Sequence, residues 1–213
     1  MSRVDHLVIS VPDIDTAAQE WDEVGLPSSP GGTHPGGTVN VLIRGSQHAY
    51  VELIAAPEGA DNIWSERVRN TLGPLSWAIC VPDIEAACRA VTEAGFEPGD
   101  IRDGARTTES GEELSWRMVD LGEQPFDAKL PFLIEWIKPM SDGPAHGPVL
   151  IGMCVEVEHP SELEKLLDAL DFDDKDVTVA LAEGDRGLVS ATFRTQEPVA
   201  EVAELNGLTV NLH

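Results

Sequence analysis

VDHLVISVPDID, residues 4–15, is the stretch that decides the fold, because a close copy of it, LSWAICVPDIE, returns at residues 75–85. With an ungapped offset of 70, residues 6–26 and 76–96 share eight identities in 21 positions. A chain that repeats itself over such a length is predicted to contain one structural unit twice.

Each copy has the pattern of a strand, a turn and a helix. The strand is rich in β-branched and aliphatic residues, and the Val-Pro-Asp-Ile turn after it ends the strand, because proline has no N–H to donate. Asp13 and Asp83 are placed to accept hydrogen bonds from the first free N–H groups of a helix. Gly25 and Gly95 are suited to end that helix.

Strand periodicity assigns the side chains of the two copies to faces. Alternate residues share a face, so residues 4, 6, 8 and 10 lie together and residues 7, 9 and 11 lie opposite. The bulkier aliphatic face of each copy is expected to meet its helix. His6, Ser10, Ser76 and Cys80 then face whatever space the sheet encloses.

The composition is that of a globular chain without a membrane segment. A length of 213 residues with 42% hydrophobic residues suits one large domain or two small ones. No apolar run approaches 18 residues, and the first residues lead straight into a strand without a signal-like apolar region, so we expect a cytoplasmic protein. Three cysteines do not form a disulfide framework.

The charge of the chain is extreme. It carries 38 acidic and 14 basic residues, which gives a net charge of -24 at pH 7. Such a chain is not expected to bind nucleic acid or an anionic membrane. An acidic, solvated surface of this kind is typical of salt-adapted proteins.

Two later strands each carry one acid among apolar residues. They are residues 49–55, AYVELIA, which include Glu52, and residues 132–137, FLIEWI, which include Glu135. Buried carboxylates are rare unless they have a partner or a metal. We therefore interpret Glu52 and Glu135 as counterparts in the two copies. The Gly/Pro-rich residues 26–37 follow a helix and precede a strand, so they are interpreted as a connection and not as a phosphate-binding loop.

The last third of the chain has its own set of elements. A Gly/Pro-rich boundary at residues 139–148 precedes strands at 149–157, 177–182, 188–194 and 208–212, and a capping box at Ser161 and Glu164 predicts a helix to about Leu170. No residue of this unit matches His6 or Glu52. We interpret residues 147–213 as a degenerate β-α-β-β unit with a structural role, which closes one end of the fold or pairs with the same segment of a second chain in a homodimer.

The duplicated unit resembles the vicinal oxygen chelate (glyoxalase/bleomycin resistance/dioxygenase) superfamily, in its glyoxalase-like branch. The resemblance covers roughly residues 3–138 and lies in VDHLV (4–8), VPD (11–13), GGTHPG (31–36), GTVN (37–40), YVELI (50–54), LSWR (114–117) and PFLIEW (131–136). It implies an α+β fold in which paired βαβββ modules, residues 1–57 and 75–140 within a domain of residues 1–140, form a cup-shaped eight-stranded sheet. It also implies a divalent metal ion inside the cup, held by residues of the first and last strands.

Carried over residue by residue, the resemblance implies His6, Glu52 and Glu135 as metal ligands, with Glu135 or Glu52 as the group that moves a proton. The chain departs from the family pattern at the fourth position, which is Ser76 where the superfamily has a ligand. One imidazole and two carboxylates can still hold a divalent ion of unknown identity with water in the open places. They do not form the two-His, one-carboxylate set of iron oxygenases, so a dioxygenase is disfavoured unless His34 or His48 moves in.

The other candidate residues are predicted to bind the substrate. They are His34, Asn40, Ser76, Trp116 and Arg117. Structural interpretations stand beside the functional ones. His6 suits a hydrogen-bonded core histidine, the two glutamates can pair with Arg44 or Arg117, and Trp116 fits the core better than a pocket wall.

The resemblance implies a metal-dependent lyase or isomerase that acts on a small oxygen-bearing metabolite in the cup. The alternative is a non-catalytic protein of the same fold that binds or sequesters a small molecule without metal. The serine at position 76 is the best support for this alternative.

Overall fold

The computed structural model describes residues 1–60, 63–108, 111–122, 126–196 and 201–213. These residues form thirteen strands and four helices. The first copy contains β1 (Arg3–Ser10), α1 (Ile14–Glu23), β2 (Ser28–Thr33), β3 (Val39–Ile43) and β4 (Tyr50–Ala55). After α2 (Ile63–Asn70), the second copy contains β5 (Gly73–Cys80), α3 (Ile84–Glu93), β6 (Arg102–Thr107), β7 (Glu113–Asp120) and β8 (Phe132–Lys138).

The two copies form one eight-stranded sheet. Its strand order is β2-β3-β4-β1-β5-β8-β7-β6, so the second copy mirrors the first about the antiparallel pair of β1 and β5. In each copy the first strand lies parallel to the last, β1 beside β4 and β5 beside β8. The α+β fold and the duplicated βαβββ modules of the sequence prediction are confirmed.

The edges of this sheet curl toward each other and make a nearly closed cup. Arg106 on edge strand β6 donates a hydrogen bond to the carbonyl of Gly31 on edge strand β2. Edge strand β2 lies in residues 26–37, which the sequence pattern treats as a connection, and the pattern predicts no strand over β6. Both strands carry glycine, proline and charge in place of alternating apolar residues, as exposed sheet edges commonly do.

The helices of the two copies begin and end in the same way. The carboxylates of Asp13 and Asp83 each accept a hydrogen bond, of 2.8 Å, from the backbone N–H three residues later. Gly25 and Gly95 follow the helices with φ of 87° and 94°, the left-handed conformation that glycine adopts without steric cost. The predicted caps and stops are therefore correct at both sites.

A β-bulge in β1 changes the predicted faces. Val4 pairs with Ile79 and His6 pairs with Ala78, so Asp5 is an extra residue opposite β5. Val4 consequently joins the core on the helix side with Leu7, whereas His6 faces the cup. The strict alternation that placed Val4 beside His6 was wrong at this point.

The second sheet has five strands in the order β10-β9-β11-β13-β12. Its elements are β9 (Val149–Val157), α4 (Pro160–Ala169), β10 (Thr178–Glu183), β11 (Gly187–Arg194), β12 (Val202–Leu205) and β13 (Leu208–Leu212). The four strands predicted at 149–157, 177–182, 188–194 and 208–212 are present, and β12 is an additional strand that the sequence pattern did not predict. Helix α4 begins at Pro160 with His159 at its N-cap and no side-chain cap, so the predicted capping box at Ser161 was wrong.

The second sheet packs against the helix-facing side of the eight-stranded sheet. Its core residues, such as Phe193, join the same hydrophobic cluster as Trp21 of α1, and the indole of Trp21 donates to Asn206 at 2.8 Å. None of its described residues lines the cavity of the cup. That this unit closes one end of the cup stays a prediction. The division into residues 1–140 and 147–213 stays a prediction, as does a homodimer. No helix among the described residues has the length and apolarity needed to cross a membrane.

Candidate functional site

The concave side of the eight-stranded sheet encloses a cavity of about 250 Å³. The first copy supplies most of its polar wall and the second copy most of its apolar wall. The polar groups of the first copy are His6, His34, Thr38, Asn40, Tyr50 and Glu52. The apolar groups of the second copy are Trp116, Met118, Phe126, Phe132, Ile134 and Trp136.

Glu52 is the carboxylate of the polar wall. Alternation along β4 turns Glu52 into the cavity between Tyr50 and Ile54, and its residue is only 8% exposed. The side-chain amide of Asn40 on neighbouring strand β3 donates to Oε1 of Glu52 at 2.5 Å. Asn40, predicted to contact substrate, therefore also holds the carboxylate of Glu52 in place.

His6 stands between two carboxylates. Its Nδ1 lies 2.6 Å from Oδ1 of Asp5, and its Nε2 lies 3.6 Å from Oε2 of Glu52. Because a carboxylate can only accept, Nδ1 carries the hydrogen of the bond to Asp5. The ring is stacked on Tyr50 at 4.9 Å and meets the edge of Phe132 at 5.4 Å, so its orientation is fixed from both sides.

The sequence reading missed Asp5. Its buried carboxylate accepts from His6 and, at 2.8 Å, from the indole N–H of Trp136 in the second copy. The β-bulge brings Asp5 to this position, and strand periodicity carries no signal for a bulge. The one sequence signal for this role was that Asp5 directly precedes the candidate ligand His6.

His34 lies on the cavity wall between β2 and β3. Its Nδ1 is 3.0 Å from the hydroxyl of Thr38, and its Nε2 is 3.8 Å from Oε1 of Glu52. Burial lowers the pKa of His34; the charge of Glu52 opposes this, and the charge of Arg106 adds to it. His34 is thus a neutral imidazole at neutral pH with one nitrogen toward the carboxylate of Glu52.

Glu135 does not lie in the cup. Phe132, Ile134 and Trp136 of β8 line the cavity, so Glu135 between them projects from the opposite face of the strand. There its carboxylate lies 3.4 Å from Arg117, which also binds Glu85 of α3 at 2.7 Å. The structure therefore brings His6 and Glu52 together and separates Glu135 and Arg117 from them. Glu135 and Arg117 form an ion pair, which is the structural interpretation that the sequence analysis gave as the alternative.

The true counterpart of Glu52 is Phe132. Val11 donates to the carbonyl of Ile54 and Val81 donates to the carbonyl of Ile134, each at 2.9 Å, which fixes the register of the two copies. Glu52 and Phe132 each lie two residues before these carbonyls. The second copy thus supplies a phenyl ring where the first supplies a carboxylate.

Ser76 and Trp116 complete the predicted set. Ser76 is buried, does not line the cavity, and donates to the carbonyl of Asp127 at 3.5 Å. Trp116 is on the cavity wall and not in the core. A Cβ at Gly104 on the neighbouring strand would stand 2.3 Å from its indole, so glycine is needed for this ring to lie flat against β6.

Comparison of the sequence with protein-family models finds the glyoxalase-like domain over residues 4–171, most of the chain. The chain belongs to the glyoxalase-like domain family. This places it in the vicinal oxygen chelate superfamily, as its sequence pattern predicted. No curated protein matches this chain in sequence.

Solved structures similar to this glyoxalase-like protein include a hypothetical protein from Staphylococcus aureus, 17% identical, with a TM-score of 0.76 over 100% of this chain and 99% of that one. A mutant 4-hydroxymandelate synthase from Streptomyces coelicolor is 14% identical, with a TM-score of 0.52 over 92% and 71%. Methylmalonyl-CoA epimerase from Mycobacterium tuberculosis is 20% identical, with a TM-score of 0.42 over 62% and 85%. The first two likenesses concern the fold, which in the Staphylococcus protein extends over the entire chain.

The donor atoms of the glyoxalase-like cup fit a cation between His6 and Glu52. Asp5 takes the hydrogen on Nδ1 of His6, so Nε2 is the ring nitrogen that faces a carboxylate oxygen of Glu52 at 3.6 Å. In a neutral imidazole with its hydrogen on Nδ1, Nε2 presents a lone pair there. Two acceptors that face each other need a proton or a cation between them. Imidazole nitrogen and carboxylate oxygen are ligands for borderline divalent ions, and an acid behind the imidazole is a common orienting partner.

A tighter cluster of ligand atoms lies outside the cup. His48, Asp174 and Asp176 are, among the residues that the structure describes, the group whose ligand atoms come within 4.8 Å of one another. The carboxylate of Asp174 already accepts backbone N–H bonds from Val4, Asp176 and Val177, at 2.8 to 3.0 Å. We therefore interpret this cluster as a connection between the cup and the second sheet.

Proposed function

We propose that this protein is a divalent-metal-dependent lyase or isomerase that acts on a small oxygen-bearing metabolite in the cup. The ion is held by His6 and Glu52, with water in the open positions. The observation that carries the proposal is the pair of possible ligand atoms, Nε2 of His6 and Oε2 of Glu52, that face each other at 3.6 Å beside a cavity. A bound divalent ion would supply Lewis-acid stabilisation of negative charge on a substrate oxygen.

The protein groups have separate roles in this proposal. Asp5 orients the His6 ring, and Asn40 orients the Glu52 carboxylate. His34, a neutral imidazole on the cavity wall, is the group placed to move a proton, and it replaces Glu135 in that role. The aromatic wall of the second copy excludes water from the reacting end.

The test is a calorimetric titration of the purified protein with Mn²⁺, Ni²⁺ and Zn²⁺ in turn. Glu52→Gln is expected to abolish binding, and Asp5→Asn to weaken it about 10- to 100-fold, the usual cost of losing a partner behind a ligand. Glu135→Gln is the matched control. Its carboxylate meets Arg117 on the other face of the sheet, so metal affinity should not change.

A second candidate function is metal-free binding of a small molecule. It is favoured by the replacement of the ligand positions of the second copy by Phe132 and Ser76, which leaves an aromatic cavity with ligands on one side only. Metal affinity that is the same in the native protein and in Glu52→Gln would reject the enzyme proposal and leave this one.

A further inference from the structure

Arg106 is a cation buried in an acidic protein. It is 8% exposed and is the one lysine or arginine among the described residues that is buried. Alternation along β6 places it on the same face as Gly104, so it lines the cavity beside the indole of Trp116. Burying a charge without a partner of opposite charge is costly, so an arginine in this place requires an explanation.

The partners of Arg106 are neutral. Its Nη1 donates to the carbonyl of Gly31, and its Nη2 lies 3.5 Å from the sulfur of Met140. Arg102 on the same strand meets Asp120 at 2.5 Å, and Arg117 meets Glu85 at 2.7 Å. No carboxylate of the described residues makes such a pair with Arg106. Within the part of the chain that the structure describes, these two contacts leave three of the five guanidinium N–H groups for a ligand.

A second guanidinium stands behind the first. Arg44 lies 3.3 Å from the same sulfur of Met140 and donates to the carbonyl of Ser141. Both arginines line an outer pocket of about 490 Å³. The carboxylate of Glu112 in this pocket accepts hydrogen bonds from the backbone N–H and the hydroxyl of Ser141, at 3.0 and 3.2 Å. Two like charges that share one neutral neighbour repel each other, and an anion beside them would relieve that repulsion.

We propose that the ligand of the cup is a small carboxylic acid whose carboxylate binds Arg106 and whose apolar body lies against the aromatic wall. This inference rests on the proposed function of the cup and names its substrate class. A guanidinium binds a carboxylate through two parallel hydrogen bonds, which fixes the direction of the ligand as well as its charge. The rest of the ligand meets Trp116 and Trp136, whose rings stand 5.4 Å apart.

The size of the cavity and the charge of the chain agree with such a ligand. A volume of about 250 Å³ is just below the roughly 300 to 1,000 Å³ of common ligand pockets, so the body is no larger than a single ring with a short side chain. A net charge of -24 repels anions at long range. An anionic ligand therefore needs a local cation at the site, and Arg106 provides it.

The experiment compares acids with their neutral amides. Benzoate and phenylacetate, with benzamide and phenylacetamide, are titrated into the native full-length protein, and binding is followed by tryptophan fluorescence, because Trp64, Trp116 and Trp136 line the cavity. The acids are expected to bind at least about tenfold more tightly than the amides. Arg106→Gln should weaken binding of the acids about 10- to 100-fold and leave the amides unchanged.

Arg186→Gln is the control, because Arg186 pairs with Glu156 on the second sheet and should not affect either probe. Equal affinity of acid and amide for the native protein overturns the carboxylate inference even if Arg106→Gln fails to fold, and so does an Arg106→Gln protein that binds the acids normally. Both outcomes leave the metal site untouched. Failure of all four probes to bind, together with absent metal binding, would instead reject the proposed function of the cup.

Discussion

Phe132 is the residue at which the second half of the site differs most from the first. Its ring is 4% exposed and packs edge-on against His6, at the position that corresponds to Glu52. A phenyl ring here desolvates the cavity and contributes no ligand atom. The cup is consequently asymmetric, with a carboxylate from the first copy and apolar cover from the second.

Replacing Phe132 by glutamate should restore the missing carboxylate. Loss of the buried ring is expected to cost about 3 to 5 kcal/mol of unfolding free energy without metal, with a further cost for the buried charge. A divalent ion between this carboxylate and His6 should recover part of that loss, because a ligand that binds only the folded state stabilises it. The measurement is the thermal midpoint with and without Mn²⁺ or Zn²⁺.

Ile134→Glu provides the comparison for this prediction. Ile134 lies on the same wall and is equally buried, but it corresponds to Ile54 and not to a ligand position. The Ile134→Glu variant should be less stable than the native protein, and its thermal midpoint should not rise when metal is added. Equal rescue of the two variants by metal would mean that the ion does not bind at the His6 side of the cup.

At the scale of the elements, the sequence predicted those strands and helices whose pattern is local. The repeat around Val-Pro-Asp-Ile, the caps at Asp13 and Asp83 and the glycine stops depend on neighbouring residues only, and the structure has all of them. The sequence did not predict the edge strands β2 and β6, because they are strands through pairing with one neighbour and not through burial.

The sequence placed Glu52 in the site correctly and Glu135 wrongly, for a related reason. In β8, FLIEWI is apolar on both faces apart from Glu135, so alternation cannot decide which face meets the cavity. The hydrogen-bond register decides it, and a shift of one residue moves every side chain to the other face. In β4 both faces are also buried, and there Glu52 does face the cavity beside Asn40 and His6.

Asp174 connects the loop before β10 to strand β1. Burial alone would raise the pKa of Asp174, but the imidazole of His48, 3.7 Å away, and hydrogen bonds from the backbone of Asp176, Val177 and Val4 lower it to about 2. Since the pKa is lower in the folded state than the ordinary 3.8, this carboxylate stabilises the protein above about pH 4 and its contribution disappears as the pH falls toward 2.

Asp174→Ala should therefore destabilise the protein by about 2 to 4 kcal/mol at pH 7, because buried backbone donors lose their acceptor. The difference from the native protein should shrink as the pH falls from about 4 to about 2. Urea unfolding at both ends of this range measures it. Asp168→Ala, an exposed acid on α4, is the control and is expected to stay within about 0.5 kcal/mol. A pH-independent difference would exclude the charge of Asp174 as the cause.

At the scale of the whole molecule, a hydrophobic core that spans both sheets must offset the repulsion between the many carboxylates. Acids outnumber bases by 38 to 14, so most carboxylates have no basic partner. The hydrophobic cluster that joins α1, β1 and β5 to β9, β11 and β13 opposes their mutual repulsion. Stability should then depend on how strongly the solvent screens the surface charge.

The melting temperature is accordingly expected to rise between 0.1 and 1 M KCl, the range over which the Debye length falls from about 10 Å to about 3 Å. The repulsion is spread over many exposed carboxylates, so most of the rise should come below about 0.5 M, where screening changes fastest. Sucrose at matched osmolality separates screening from exclusion of the cosolute, since sucrose stabilises without screening charge. A flat or falling melting temperature in KCl would show that native contacts already neutralise the acidic surface, because only charges that still repel one another can gain stability from salt.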